Sequence, residues 1–468
     1  MAPETLKFPA LIGRCFCCKQ TTLFDASTRF CSKDGCAASS RVKPITRDLY
    51  VTILPERVGN YGAADLPDLE TSKDFFARFV PGEKADGLLL AAPSNPCPVS
   101  DLLPYKNDGL ANLGLRLGQP TLYRLEDFEK WAGFERIWVL DMSTYLWSHT
   151  LKDVRSWAIL NAALEAEAHH LALYTAGNAG ISLAQLAYVA NRRLPGPKRF
   201  HIHCLVDDRV PKVIRALLKL WDCEVIQIQG NGHRILNPER VREEVNRQAR
   251  GFYSDSPPNG YWHVTDGWDG VGLTMYRLLF AQVLRKLKLD YVVAPVGTGS
   301  LFLGSYLGLK DSHLAKHSVR LVGAVPFGEN VITNIRDQDI PLGSVPRGSE
   351  GDEPAVMPKL VGRYTPLAPC FGSVEEAGEM EFVAVPLRVQ KDVARMLATQ
   401  RAVRRVGCEP SALASLGALR ALNAKVREER DPTFPAYRPY QAHARVLVVN
   451  SGLGVVGDEE AAFVESSF

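Results

Sequence analysis

Two segments of the chain carry residue types that could bind a small molecule and react with it. Lys152 stands at the predicted start of a helix, where a partly desolvated amine can form a Schiff base with a carbonyl group. Asn178 lies between Gly177 and Gly180, after a predicted strand and before a predicted helix, and the backbone amides there suit a carboxylate. Each feature alone also fits a solvated lysine or a tight turn. The functional interpretation therefore depends on several such segments occurring together.

Two further glycine-rich turns extend the pattern. The turn after the predicted strand 289–296 could hold one phosphate through backbone amides and two hydroxyl groups, and no Walker lysine follows it. Its residues are Gly297, Thr298, Gly299 and Ser300. A GxGxxG pattern ends at Gly457, but the eleven residues after it leave no room for the rest of a dinucleotide-binding unit. Ser451, at the end of the preceding strand, is then the candidate contact.

Alternating apolar runs and helical-period segments must position these turns. The predicted strands are 136–141, 171–175, 200–206, 224–228, 260–264, 289–296, 319–325, 381–386 and 445–450, and the main predicted helices are 152–168, 179–193, 209–221, 271–288 and 411–428. Continuous Val, Ile and Leu runs predict an α/β fold with parallel sheets covered on both faces. Ligands bind such sheets beyond the carboxyl ends of the strands. The Gly-, Pro- and charge-rich segment 329–375 interrupts the pattern and predicts a surface excursion or a mobile flap.

Composition narrows the class of partner. The 468 residues are 46% apolar and 23% charged, as in ordinary globular proteins, and the net charge of +3 gives no field that would attract nucleic acid or an anionic membrane. No apolar run approaches the roughly 20 residues of a membrane helix. Pro9, Gly13 and Arg14 interrupt any secretory signal, which predicts a cytoplasmic protein.

Cysteines and histidines raise the question of a metal. Five of the ten cysteines lie in the first 36 residues, and four of them have spacing that could close a structural zinc knuckle: Cys15, Cys18, Cys31 and Cys36. The alternative is a set of ordinary reduced thiols. His169 and His170 are predicted to end a helix, and His201 and His203 to alternate along a strand without forming a metal site.

Taken in order, the four turns resemble the constellation of fold type II pyridoxal-phosphate enzymes, the family of threonine synthase, cysteine synthase and tryptophan synthase β. The resemblance covers 118–468, and segments 118–125 and 409–416 are similar to the entry strand and a late helix start of threonine synthases. It implies two α/β domains of the tryptophan synthase β-like kind, 118–255 with the lysine and 256–468 with the phosphate turn. A Cys-rich segment 1–45 and an extension 46–117 with short elements precede them.

The resemblance also implies roles for the turns. Lys152 would carry pyridoxal 5′-phosphate and move the Cα proton, Asn178 would contact the cofactor 3′-oxygen, the turn 297–300 would hold its phosphate, and Ser451 would face the pyridine nitrogen. A neutral hydroxyl there favours elimination and replacement at Cβ or Cγ over transamination. The residues expected near the substrate are Thr175, Ala176, Gly177, Asn178, His149 and Thr150. Glu409 either borders the pocket or simply begins a helix.

The lysine turn departs from the threonine synthase pattern. His149, Thr150 and Val154 stand where that family usually has glycine, serine and arginine, which indicates a different substrate. His149 either binds an anionic group or caps the loop, and Arg155 is either a surface residue or an anion contact.

The resulting prediction is a pyridoxal-phosphate-dependent synthase in the manner of threonine or cysteate synthase. It would eliminate or replace a β- or γ-substituent of an O-phospho amino acid and add a small nucleophile. Relatives imply a homodimer. The alternatives are a dehydratase or deaminase, and a non-catalytic relative that binds the cofactor or an amino acid.

Overall fold

The computed structural model describes residues 7–15, 21–25, 51–55 and most of 109–467. The gaps within the last range are 116, 119, 146, 166, 230–237, 249–260, 268, 285–286, 313–318, 333–352, 362–364, 366, 368–370, 372–379, 400–407, 421–443 and 456.

Thirteen strands and ten α-helices have bounds within the described residues. The strands are β1 (Lys7–Cys15), β2 (Thr21–Asp25), β3 (Val51–Pro55), β4 (Thr121–Arg124), β5 (Arg136–Asp141), β6 (His170–Tyr174), β7 (His201–Asp207), β8 (Glu224–Ile228), β9 (Tyr261–His263), β10 (Tyr291–Pro295), β11 (Arg320–Pro326), β12 (Met380–Val385) and β13 (Arg445–Asn450). The helices are α1 (Gly109–Asn112), α2 (Glu126–Ala132), α3 (Lys152–Glu165), α4 (Asn178–Asn191), α5 (Lys212–Leu220), α6 (Pro238–Gln248), α7 (Gly270–Val283), α8 (Ser300–Asp311), α9 (Leu387–Thr399) and α10 (Asp458–Ser467). Short 3₁₀ turns cover Gly196–Lys198 and Pro410–Leu413.

The strands form three sheets. A six-stranded sheet has the order β12-β11-β10-β13-β5-β4 and is parallel except for β4, which runs antiparallel to β5. A four-stranded parallel sheet has the order β8-β7-β6-β9, and β2-β1-β3 form an antiparallel sheet. The α/β fold with parallel sheets is therefore confirmed, and β3 and α1 are short elements of the predicted extension.

Sheet membership does not follow the predicted division at 255/256. Strands β4 and β5 precede that position and join β10–β13, whereas β9 follows it and pairs with β6. The division into domains itself stays a prediction.

Continuous apolar strands explain why both faces of the larger sheet are covered. All five residues of β10 are buried, and so are the last five of β13. A strand buried on both faces must place apolar side chains on both, which a parallel sheet between helices allows. Nine strands and four α-helix starts lie near their predicted positions, and a 3₁₀ turn at Pro410–Leu413 stands at the fifth predicted helix start, because the apolar pattern that predicts them is local.

The prediction that segment 329–375 is a surface excursion is wrong for part of that segment. Met357 and Leu360, in its described part 353–361, are 1% and 7% exposed, because they pack against the larger sheet's core. The helix expected to end at His170 ends at Glu165 instead, and His170 begins β6. No helix among the described residues is long and apolar enough to cross a bilayer.

Close packing of α7 on α8 depends on glycine. A Cβ at Gly308 would lie 2.6 Å from the backbone oxygen of Arg277, whereas a Cβ at Gly196 would meet nothing within 4 Å. We expect Gly308→Ala to lower the free energy of unfolding by roughly 1–3 kcal/mol through overpacking, and Gly196→Ala to change it by less than about 0.5 kcal/mol. Urea unfolding measures both, and equal effects would contradict this account of the helix contact.

Candidate active site

Turns from the carboxyl ends of several strands meet around one cavity of about 160 Å³. Thr175 follows β6, Asp266 follows β9, Gly297 follows β10 and Ser451 follows β13. Lys152 lines the same cavity from the start of α3. The site thus lies where an open parallel sheet is expected to bind its ligand.

A buried carboxylate fixes the turn that carries Lys152. Asp153 accepts hydrogen bonds from the backbone N–H and Oγ of Ser148, the latter at 2.7 Å, and from Ser182 Oγ of α4, also at 2.7 Å. Burial raises the pKa of Asp153, and these hydrogen bonds oppose the rise. Lys152 N also donates to Thr150 Oγ1 at 3.2 Å. The lysine backbone is therefore held from two sides.

The Lys152 side chain forms an ion pair with Asp266. Arg155, one turn along α3, is fully buried, and its Nε lies 3.1 Å from Asp269 Oδ2 and 3.9 Å from Asp266 Oδ1. Its guanidinium also donates to the Val264 carbonyl. The expectation that Arg155 could be a surface residue is wrong, because two carboxylates compensate its charge inside the protein.

The Thr175 hydroxyl organises the Asn178 turn. It accepts hydrogen bonds from the backbone N–H groups of Gly177 and Gly180, both at 3.1 Å. Gly177 has φ of +151°, and a Cβ there would lie 2.8 Å from Ile214 Cδ1, so the turn requires glycine. Thr175, Ala176, Gly177 and Asn178 all line the cavity, as the carboxylate-binding prediction requires.

Glu409 and Lys359 form a second ion pair in the cavity wall. Lys359 Nζ lies 2.6 Å from Glu409 Oε2, 2.7 Å from the Val455 oxygen and 3.1 Å from Glu460. Glu409 also accepts from Asn178 Nδ2 at 3.1 Å. Burial raises the pKa of Glu409, and the charge of Lys359 acts against it. Glu409 thus lines the cavity and also precedes the turn at Pro410–Leu413, so both predicted interpretations fit its position.

The predicted phosphate turn leads into α8. Gly297, Thr298 and Gly299 line the cavity, and Gly299 has φ of +96°, a left-handed conformation that glycine adopts without strain. Ser300 is the first residue of α8 and is 2% exposed; its Oγ makes no well-formed hydrogen bond among the described residues, although it lies near enough to Asp266 to help lower the pKa of that carboxyl. A buried hydroxyl beside helix-terminal amides fits an anion such as a phosphate.

Ser451 and His149 lie on adjoining turns but differ in exposure. Ser451 is 6% exposed and lines the cavity, and its carbonyl accepts from Leu151 N at 2.9 Å. His149 is exposed and does not line the cavity; its Nδ1 lies 3.2 Å from the Ser143 carbonyl oxygen, and its own carbonyl accepts from Leu453 N. The structure places His149 as the loop-capping interpretation expected.

These residues fit pyridoxal 5′-phosphate. An amine, a glycine turn at a helix start with a buried hydroxyl, an asparagine amide and a serine hydroxyl lie around one cavity or directly beside it. Sequence reasoning missed Asp266 and Lys359. Asp266 follows a predicted strand, so its position could have singled it out, whereas Lys359 lies in a segment without a clear pattern.

Comparison with known proteins agrees with this geometry. Residues 114–434 match the protein family described as "Pyridoxal-phosphate dependent enzyme", and the chain belongs to that family. No curated protein matches the chain. Similar solved structures include a serine racemase from Dictyostelium discoideum, with 13% identity over 72% of this chain and 93% of that one and a TM-score of 0.52. A fungal L-serine ammonia-lyase from Rhizomucor miehei has 13% identity over 75% and 98%, with a TM-score of 0.53.

An O-ureido-L-serine synthase is also similar, with 15% identity over 75% of this chain and 92% of that one and a TM-score of 0.50. At these identities the likeness is one of fold. The fold is that of fold type II pyridoxal-phosphate enzymes, so this part of the prediction is confirmed. The threonine synthase branch stays a prediction.

The metal predictions have different outcomes. Cys18, Cys31 and Cys36 lie outside the described residues, so the zinc knuckle stays a prediction. The rings of His170, His201 and His203 stack, and His203 Nδ1 lies 2.5 Å from Glu224. Within the described residues, no group of three or more His, Cys, Asp or Glu side chains is arranged to hold a metal ion.

Removing Lys359 should destabilise the protein strongly, because Glu409 and Glu460 would be left as buried carboxylates without their cation. We expect Lys359→Met to lower the free energy of unfolding by roughly 3–5 kcal/mol, and Glu409→Gln in the same chain to restore part of it. Arg240→Met removes an exposed cation from Glu243 and Glu244 and should cost less than about 1 kcal/mol. Urea unfolding at pH 7 compares the three variants, and a loss for Lys359→Met as small as the control's would contradict the assignment.

Proposed function

We propose that this enzyme binds pyridoxal 5′-phosphate at Lys152 and eliminates or replaces a β- or γ-substituent of an amino acid, in the manner of threonine or cysteate synthase. The observation that carries the proposal is the meeting of Lys152, the turn 297–300, Asn178 and Ser451 at one cavity in a chain of this family. The cofactor, when bound, supplies an electron-withdrawing ring that labilises bonds at Cα and its neighbours.

The chain's own residues would bind and orient the substrate. Backbone amides of the turn Thr175–Asn178 would hold the substrate carboxylate at the start of α4, where the helix dipole favours an anion. Lys152 Nζ would remove the Cα proton, since it lines the same cavity as that turn. Ser451 would offer a neutral hydroxyl to the ring nitrogen, and this supports elimination and replacement over transamination.

The charges of the residues that line the cavity affect which leaving group the site favours. An O-phospho substituent would need a cation, and Lys359 is the cation besides Lys152 among the described lining residues. Lys359 is already paired with Glu409 and Glu460. We propose phosphate as the first leaving group to test because Lys359 would be the cation that meets it, and the pairing of Lys359 makes an uncharged acetyl ester the competitor.

Absorbance and substrate screening test the proposal. The purified chain should be yellow with pyridoxal 5′-phosphate, and Lys152→Ala should lose the absorbance band of the lysine-bound cofactor. Phosphoserine, acetylserine and phosphohomoserine, each with sulfite, sulfide or water, should yield a spectral change and a product for one pair. Turnover with water alone would indicate a dehydratase or deaminase, and cofactor binding without any turnover would indicate a regulatory relative. A chain that cannot be loaded with the cofactor would overturn the proposal.

The homodimer belongs to the same proposal, because it derives from the resemblance to this family, and the cytoplasmic location stays a prediction. Light scattering after size-exclusion chromatography measures the mass of the assembly against the 51.6 kDa of one chain.

A further inference from the structure

Asp266 is a buried carboxylate directly on the amine of Lys152. It follows β9 in the chain and is 7% exposed, and its Oδ2 accepts the hydrogen bond from Lys152 Nζ. Its other oxygen, Oδ1, accepts no well-formed hydrogen bond among the described residues, but Arg155 Nε lies 3.9 Å from it and the Ser300 hydroxyl helps to lower the pKa of Asp266. Asp266 also lines the cavity. A buried carboxylate with one oxygen that accepts no well-formed hydrogen bond depends strongly on the cation that it does contact.

The charges around Asp266 keep it ionised. Burial alone would raise the pKa of Asp266, but the positive charges of Lys152 and Arg155 outweigh burial and lower it. Arg155 is the weaker partner, because its Nε is 3.9 Å from Asp266 and 3.1 Å from Asp269. Burial raises the pKa of Asp269 to about 6, against the charge of Arg155. Lys152 is therefore the main partner of Asp266.

Other titratable groups face this pair from each neighbouring element. Asp153 follows Lys152 on α3, and Glu409 and Lys359 line the same cavity. Tyr145 precedes the lysine turn, and Tyr276 on α7 donates to the Leu151 carbonyl at 3.3 Å. Burial raises the pKa of both tyrosines, so they are neutral in the physiological range. Asp266 is the group that contacts the lysine nitrogen itself.

We propose that Asp266 is a positioning residue that holds Lys152 as its counterion whenever the amine is not bonded to the cofactor, and so sets the pH range in which Lys152 reacts with a carbonyl group. The inference rests on the proposed cofactor attachment at Lys152. In that reaction the nitrogen bonds to the carbonyl carbon, one water leaves, and the ammonium form gives one proton to solvent. A carboxylate in contact with an amine favours its charged form, and the neutral amide of an asparagine at position 266 would remove that contribution.

Cofactor loading of the full-length chain, freed of cofactor beforehand, tests this role. Pyridoxal 5′-phosphate is added between pH 6 and 10, the bond is reduced with borohydride, and the modified Lys152 peptide is quantified by mass spectrometry. We expect Asp266→Asn to lower the pH of half-maximal reaction by about 1 unit or more, and Asp266→Glu to keep it near the native value. Asp290→Asn makes the same change in a carboxylate that pairs with Arg445 at 3.1 Å. That pair lies at the amino-terminal ends of β10 and β13, whereas the cavity lies at their carboxyl ends, so this variant should leave the midpoint unchanged.

The outcomes separate this inference from the proposed function. A native chain that forms no bond between Lys152 and the cofactor at any pH would refute the proposed function. A native chain that loads normally, with an Asp266→Asn midpoint equal to its own, would refute the role of Asp266 alone. Circular dichroism and urea unfolding establish that each variant is folded, and a folded Asp266→Asn chain with the lowered midpoint supports the inference.

Discussion

The carboxylate of Asp153 is the interaction on which the geometry of the site depends most. It receives hydrogen bonds from the turn at Trp147 and Ser148 and from Ser182 on α4, so it ties the start of α3 to the helix that begins with Asn178. Asp153 is fully buried, and such a carboxylate is tolerated only when its hydrogen bonds are complete. The same bonds that satisfy Asp153 therefore fix the backbone of Lys152 relative to the turn Thr175–Asn178 at the start of α4.

Local pattern explains how much of this architecture the sequence could predict. The strands at 136–141 and 445–450 have the bounds that their apolar runs indicate, because burial selects a continuous run of such residues. The strand at 224–228 also has its predicted bounds, but it lies at the edge of its sheet and exposes Glu224 and Gln227. The turns after β5, β10 and β13 meet because these parallel strands bring their carboxyl ends to the same edge of the larger sheet, and the turn after β6 of the four-stranded sheet lines the same cavity. Helix α6 was missed, since its sequence from Pro238 to Gln248 has only two Val residues among charged and polar ones.

Ion pairs between residues far apart in sequence could not be predicted from local sequence patterns. Lys152 meets Asp266 across 114 positions, and Lys359 meets Glu460 across 101. Residues so far apart in sequence show no periodic pattern that would link them. The ion pairs of the cavity could therefore not be predicted, although Lys152 itself was. The burial of Arg155 was unpredictable for the same reason. A charged residue near a helix start is expected to be exposed to solvent, and only the fold places the carboxylates of Asp266 and Asp269 beside it.

Pairing of both lining lysines has a consequence for how the cavity binds anions. Lys152 is balanced by Asp266 and Lys359 by Glu409 and Glu460, so these side chains add little uncompensated positive charge to the described cavity wall. A phosphate placed there must then be held by backbone amides and hydroxyls, which is what the turn before α8 and the buried Ser300 Oγ offer. Because those donors have fixed positions beside the cavity that Lys152 lines, they would select one location for the phosphate of a bound cofactor. In the proposed function, neutral donors would thus set the place of the cofactor, and the paired charges would act on the proton of the amine.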